Sequence, residues 1–258
     1  DDLCRRDSRG FDCVRSTGTG FSGVIEGPRW SNDNGWNEMR HWSTIRLVDA
    51  NGDGLADVCG RGASDLRCHF SDGTTFGDAV IVAELSDGSG WGDISNYATL
   101  RTGDLDDDGA VDFCIRANAG IRCYRWSGAS FDNHSGPDWE DDHGWTAASH
   151  YQSIRMGDVT GDGLSDLCAR TSAGFVCHPS TGAGFDNSLL LEEFTNDGGW
   201  TASQYFSTIQ LAGPRCFIEV CNERDDDCDG IIDEGCGPDC DDADGDGWGE
   251  GPDCFGPD

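Results

Sequence analysis

The sequence predicts an all-β protein: a β-propeller of about four four-stranded blades, followed by a small, irregular, cysteine-rich acidic tail. Three observations point there. An acid-and-glycine stretch recurs three times at even spacing. Cysteine pairs nine residues apart recur four times in step with it. Short apolar alternations lie beside them. Repetition at a fixed period of this size marks stacked supersecondary units, and four strands per unit is the blade of a propeller.

In chain order, a unit opens on an apolar pair spaced by two: Ile45/Leu47, Leu100/Thr102, Ile154/Met156 and Ile209/Leu211. That period fits a strand with one buried face. The acidic stretch follows: Asp49-Ala50-Asn51-Gly52-Asp53-Gly54-Leu55-Ala56-Asp57. Its copies run from Asp104 to Asp112 and from Asp158 to Asp166. Side-chain oxygens stand at loop positions 1, 3, 5 and 9. These are Asp49, Asn51, Asp53 and Asp57, then Asp104, Asp106, Asp108 and Asp112, then Asp158, Thr160, Asp162 and Asp166. Position 6 is glycine, which permits a sharp turn, and position 7 (Leu55, Ala110, Leu164) can add a backbone carbonyl. A hard cation that takes about six to eight oxygens is wrapped in this way, so calcium is the expected ligand. Asp-Gly clusters also make plain turns, but three copies in one register favour metal. EF-hands are not expected, because position 12 is Gly60, Ile115 and Ala169 rather than a bidentate acid.

Next come the cysteines, Cys4/Cys13, Cys59/Cys68, Cys114/Cys123 and Cys168/Cys177. Across a short antiparallel hairpin, residues nine apart can face each other at a spacing that suits a disulfide. Zinc is disfavoured, since no histidines accompany the pairs at finger spacing. In the first complete unit the expected strands are 43–48, 56–61, 66–71 and 76–85. Gly10, Gly120 and Gly174 sit late in the cysteine hairpin, where a positive φ is expected, and Asp65 takes that place in the second unit. Phe21, Phe76, Phe131 and Phe185 stand eight residues past each second cysteine.

Each unit closes on a Gly-Trp in a polar loop between blades, at Trp36, Trp91, Trp145 and Trp200. Five residues on stand His41, Asn96, His150 and Tyr205. An indole face can cover sugar C–H groups while His or Asn bonds hydroxyls, so these eight are candidate glycan contacts. A repeated Trp also wedges neighbouring blades apart, and that packing role is the favoured reading. His41 and His150 match one another, whereas Asn96 and Tyr205 depart, so any sugar sites would be unequal. His69 and His178 follow the second hairpin cysteine and are expected on exposed strand faces.

A formal charge of -32 makes nucleic acid and anionic membrane poor partners. No stretch resembles a membrane span, so no membrane insertion is expected. Fourteen cysteines, mostly in regular pairs, argue for disulfides and export. No leader precedes Asp1-Asp2-Leu3-Cys4, which suggests a mature chain or a fragment. Three units are complete. Residues 1–27 supply the last three strands of another, and residues 206–212 only a first strand. Either the chain is cut from a longer propeller, the favoured reading, or the orphan strands pair to close a four-bladed ring.

The Asp-x-Asn-Gly-Asp-Gly-Leu-Ala-Asp loop, with a later Gly-x-x-Phe turn, resembles the FG-GAP/VCBS repeat of integrin-α-like propellers. The resemblance covers about residues 1–212 and implies calcium on one rim. Most such propellers have seven blades, and this chain has too few repeats. The Gly-Trp segment with its His five residues on is similar to the inter-blade segment of the fungal integrin-like seven-bladed lectin, and implies sugar sites between blades.

Residues 213–258 carry 16 acids against Arg215 and Arg224, with Cys216, Cys221, Cys228, Cys236, Cys240 and Cys254. The run from Glu219 to Glu234 resembles a metal-binding motif of myxobacterial and related secreted proteins, which points to a bacterial source. The same positions recur at Asp225, Asp227, Asp229 and Asp233, with Ile231 at position 7. They recur again at Asp242, Asp244, Asp246 and Glu250, with Trp248 at position 7 and Asp253 at position 12. The last loop resembles thrombospondin type 3 and EF-like calcium loops, although Pro252 and the absence of flanking helices argue against an EF-hand. A disordered acidic linker is the competing reading; six cysteines favour a stapled, cation-organised module. Hard oxygen ligands favour calcium over copper.

No Gly-x-Ser-x-Gly, phosphate loop or zincin histidine pair is present. The carboxylates could include a glycosidase pair, but acids at ligand spacing are committed to metal. The expectation is therefore a secreted, calcium-stabilised, non-catalytic scaffold for extracellular interaction, with a protein or glycan as partner. A glycan-binding lectin is the alternative. An accessory module of an exported hydrolase, its catalytic domain outside this chain, is a third.

Overall fold

A computed structural model describes residues 2–212. The tail loops expected at 225–233 and 242–253, and the six tail cysteines, lie outside the described residues.

Strands form because the apolar pairs alternate, and they stop where Asp-Gly bends break the ladder. The first sheet holds β1 (Leu3–Arg6), β2 (Phe11–Ser16) and β3 (Phe21–Glu26). Three four-stranded antiparallel sheets follow. The second holds β4 (Arg46–Val48), β5 (Asp57–Arg61), β6 (Leu66–Ser71) and β7 (Phe76–Ala83). The third holds β8 (Arg101–Gly103), β9 (Asp112–Ala117), β10 (Gly120–Trp126) and β11 (Phe131–Ser135). The fourth holds β12 (Arg155–Gly157), β13 (Asp166–Thr171), β14 (Gly174–His178) and β15 (Leu189–Leu191). Each sheet runs up and down in sequence order, which is the blade of a propeller.

Blades stack face to face, so the second strand of each complete blade is buried on both sides. Val58, Phe113 and Leu167, one residue before the first hairpin cysteine, are 0 % exposed, whereas Leu3 in the same register is 57 % exposed on the open face of the first sheet. One core cluster joins Phe11 and Trp30 of the first blade region to Val58 of the second. The next joins Leu66 to Phe113, and a third joins Ile121 to Leu167.

The inner strands are tied around the axis by a repeated arginine. Arg46 donates to the Leu100 carbonyl, Arg101 to that of Ile154 and Arg155 to that of Ile209. Cys4–Cys13, Cys59–Cys68, Cys114–Cys123 and Cys168–Cys177 are disulfides between directly opposed residues of the hairpin strands, with Cα spacings of 3.9, 4.0, 4.1 and 4.0 Å. Each closes one hairpin, and none joins two sheets.

Several expectations need correction. The strand expected over 43–48 shortens to β4, because Met39–Trp42 forms a helical turn, α1, whose exit is fixed by Thr44. The Thr44 hydroxyl donates to the His41 carbonyl and accepts the Arg61 backbone N–H. The ring is not closed among the described residues: β1 has no partner on its inner edge, and Ile209 instead receives Arg155. Gly120 and Gly174 have positive φ, but Gly10 does not. Its glycine sits at a close approach, where a Cβ would meet the Pro28 carbonyl oxygen at 3.1 Å. His69 and His178 are half-buried, edge-on to Trp30 and Trp139.

Candidate functional site

Two repeated features could carry function: the acid loops, and the segments between blades.

In the first loop Asp49 is the hub. Its Oδ1 accepts the Gly52 and Asp53 N–H groups, and its Oδ2 accepts that of Gly54 at 2.7 Å. Asp104 and Asp158 take Gly109 and Gly163 in the same way. Gly54, Gly109 and Gly163 at the sixth position have positive φ, which favours glycine there; at the fourth, Gly52 and Gly161 have positive φ and so does Asp107, at 59°. Asp53 caps Leu55, and Asn51 bonds Asp53. In the second loop carboxylate oxygens of Asp104, Asp106 and Asp108 all lie within 4.8 Å of one another.

The ninth-position acids sit deeper than the others. Asp57, Asp112 and Asp166 are 0 % exposed. Asp57 accepts from the Ala50 and Ser71 backbones, and Asp166 from those of Val159 and Ser180. Asp112 accepts only from Leu105, and its Oδ1 has no hydrogen-bond partner among the described residues; nor has the buried Oδ1 of Asp106. Burial pushes Asp57 up to about 6, against the pull of its two backbone donors. It pushes Asp112 up to about 7, helped by Asp106, Asp104 and Asp108. Asp166 is raised by burial as well. A set of converging carboxylates with unpartnered buried oxygens fits a hard divalent cation. Asp104, Asp106 and Asp108 would hold it in the second loop, with Asp112 behind them; among the described residues the acids of the first and third loops do not gather into such a group. Arg125 already pairs with Asp106 Oδ2 at 3.0 Å, and a cation would add positive charge for the remaining acids.

Between blades, each segment is more ordered than a polar loop. In the first three a 3₁₀ turn (Asn32–Asn34, Asp87–Ser89 or Asp141–His143) ends on a left-handed glycine, and in the fourth an ordinary turn does so at Gly199; the Trp follows, and a one-turn helix comes next. Those helices are α1, α2 (Ile94–Tyr97), α3 (Ala148–Tyr151) and α4 (Ser203–Phe206). Trp36 and Trp145 are 5 % and 4 % exposed and stack on Trp30 and Trp139 at centroid distances of 4.1 and 4.4 Å. So little surface leaves no face for a sugar ring. His41 and Asn96 are buried, and with His150 they bond the carbonyl of the glycine before each Trp. Trp91 and Trp200 are half-buried, and Tyr205 is exposed.

Sequence reasoning missed the residue that anchors these segments. An arginine stands two positions after the first cysteine of every pair: Arg6, Arg61, Arg116 and Arg170. Its guanidinium reaches an acid or amide four residues before the Trp: Asn32, Asp87, Asp141 or Asn196. Arg61, Arg116 and Arg170 are 0 % exposed. Their backbone N–H groups bond Thr44, Thr99 and Ser153, the hydroxyls that close each helical turn. Burial raises the Asp87 carboxyl, but hydrogen bonds from Arg61 and His41 outweigh it and hold the group below its ordinary value. The Arg and its partner recur at the repeat period, so the signal was present in the sequence.

No protein-family model matches the chain, and no curated protein matches it. Among solved structures, a lectin of the fungus Agrocybe aegerita, described as recognising non-reducing terminal N-acetylglucosamine, shares the fold with a TM-score of 0.68 and 24% identity. The match covers 78% of this chain and 52% of that one, so the chain spans about half the length of its structural neighbour. The Tc holotoxin pore of Photorhabdus luminescens matches at a TM-score of 0.44 and 19% identity, over 66% of this chain and 8% of that one. A likeness that weak carries no argument.

Proposed function

We propose that this chain is a secreted, non-catalytic β-propeller scaffold whose blades are organised by calcium in the acid loops and which presents its surface to an extracellular partner. The observation that carries the reading is the second loop, where Asp104, Asp106 and Asp108 converge beside the buried Asp112, whose Oδ1 has no partner. Three carboxylates within 4.8 Å of one another repel, and Arg125 reaches only Asp106, so a cation joining all three would relieve that repulsion. Four disulfides and no helix long and apolar enough to cross a membrane are consistent with an oxidising, extracellular setting. The thermal midpoint is expected to fall when EGTA is added and to recover with calcium but not magnesium; an unchanged midpoint would count against the loops as calcium sites.

A glycan is the partner class favoured by the fold shared with the Agrocybe aegerita lectin. The buried Trp36, His41, Asn96 and Trp145 are poor candidates for contact, which leaves Trp91, the half-buried His150, Trp200 and the exposed Tyr205. A glycan array probed with calcium present tests this reading. Binding that survives Tyr205→Ala and Trp91→Ala would place the sugar elsewhere, and a blank array would leave a protein partner.

A further inference from the structure

We propose that the three acid loops load calcium cooperatively, coupled by hydrogen bonds that cross from one blade to the next; the proposal rests on the calcium reading above. The Val111 N–H donates to the Asp49 carbonyl at 2.7 Å, and the Ser165 N–H donates to the Asp104 carbonyl at 2.7 Å. In both cases the acceptor is the first residue of one loop. The donor is the residue just before the ninth-position acid of the next.

A second connection joins only the second and third loops. The Ser180 N–H donates to Asp166 Oδ1 at 2.8 Å, and its hydroxyl donates to the Leu105 carbonyl at 2.8 Å. Leu105 N–H in turn donates to Asp112 Oδ2 at 2.9 Å. One serine therefore joins the buried acids of two loops. The matching Ser71 N–H binds Asp57, and both serine hydroxyls accept from a glycine two residues on, but among the described residues only that of Ser180 also reaches the neighbouring loop. The first loop is thus linked to the second by the backbone bond alone.

Coupling follows from ordering. Without a cation, the like charges of a loop push its bends apart. A cation that draws in Asp104 fixes that residue's peptide, and with it the carbonyl that holds Ser165 beside Asp166. The third loop is then partly arranged before its own cation arrives, so the second binding step meets a smaller ordering cost. The central loop touches both neighbours and contains Asp112, wholly buried with an unpartnered oxygen. Its loss should uncouple the outer two.

Each loop carries its own reporter: the sixth-position glycine amide that donates to the first acid, at Gly54, Gly109 and Gly163. The test follows these three amide signals by NMR in the full chain as calcium is added. The expected result is three superimposed, sigmoidal curves. In Asp108→Asn, Gly54 and Gly163 should titrate hyperbolically and need about five-fold more calcium or beyond, the lower end of ordinary coupling between sites. In Ser180→Ala, which changes no proposed ligand, the third loop keeps only a backbone bond like that of the first, so the Gly163 curve should become less steep while the Gly54 curve is unchanged. Three independent hyperbolic curves in the unaltered protein would overturn the coupling and leave calcium binding intact. No response from any of the three glycines would overturn both.

Discussion

The side chains that hold this molecule together are charged ones in places where apolar residues are expected. Arg116 is wholly buried, and its nitrogens find the Trp139 and Ser95 carbonyls, Asn96 and Asp141. Removing it leaves those acceptors without donors inside a packed interface. Arg116→Ala is expected to destabilise by about 3 kcal/mol or more, read as a lower urea midpoint, since losing one partner of a buried network costs far more than the pair is worth. His69 and His178 give a pH dependence. Burial depresses both, with Arg67 adding to the effect at His69. The folded state therefore prefers the neutral rings, and the unfolded chain takes up protons first. Their effect on stability is absent above the ordinary histidine value of about 6.5 and grows as the pH falls below it. A His69→Gln/His178→Gln variant is expected to gain in thermal midpoint on its parent between pH 7.5 and pH 5.5; parallel midpoints would contradict this. The arginines show where reading a sequence stops short. Their period was plain, but a charge in a strand looks solvent-facing until its partner, 25 or 26 residues away, is known to fold back over it.

At the level of the element, the hairpins were legible because spacing alone nearly determines them. Cysteines nine positions apart, with a bend between, allow little but opposed antiparallel strands, and β6 begins and ends where the pattern places it. The strand expected over 43–48 is longer than β4 because a one-turn helix and a strand of three residues are both too short to show a period. Replacing both members of one pair, Cys114→Ser with Cys123→Ser, is expected to cost roughly 2–3 kcal/mol by freeing a ten-residue loop in the unfolded chain. The acid loops were recognised from residue type. The depth of their ninth-position acids was not, because Asp57 and Asp166 are held by the Ser71 and Ser180 backbones, fourteen residues further along the chain.

For the whole molecule, the repeat period predicted a propeller blade and the structure bears it out, with one sheet of three strands and three of four. What the sequence could not supply was the difference between interior and terminal faces, which depends on what stands alongside. Leu3 and Val58 share a register and differ only in having a neighbour. The closing of each cystine within a single hairpin has a mechanical consequence. No covalent strap runs from sheet to sheet, so a molecule stretched between its termini in an optical trap should lengthen in a staircase. Each stride would lack the eight residues shut between bonded sulfurs. Adding a reductant should lengthen every stride by about 25 Å, the reach of that released slack.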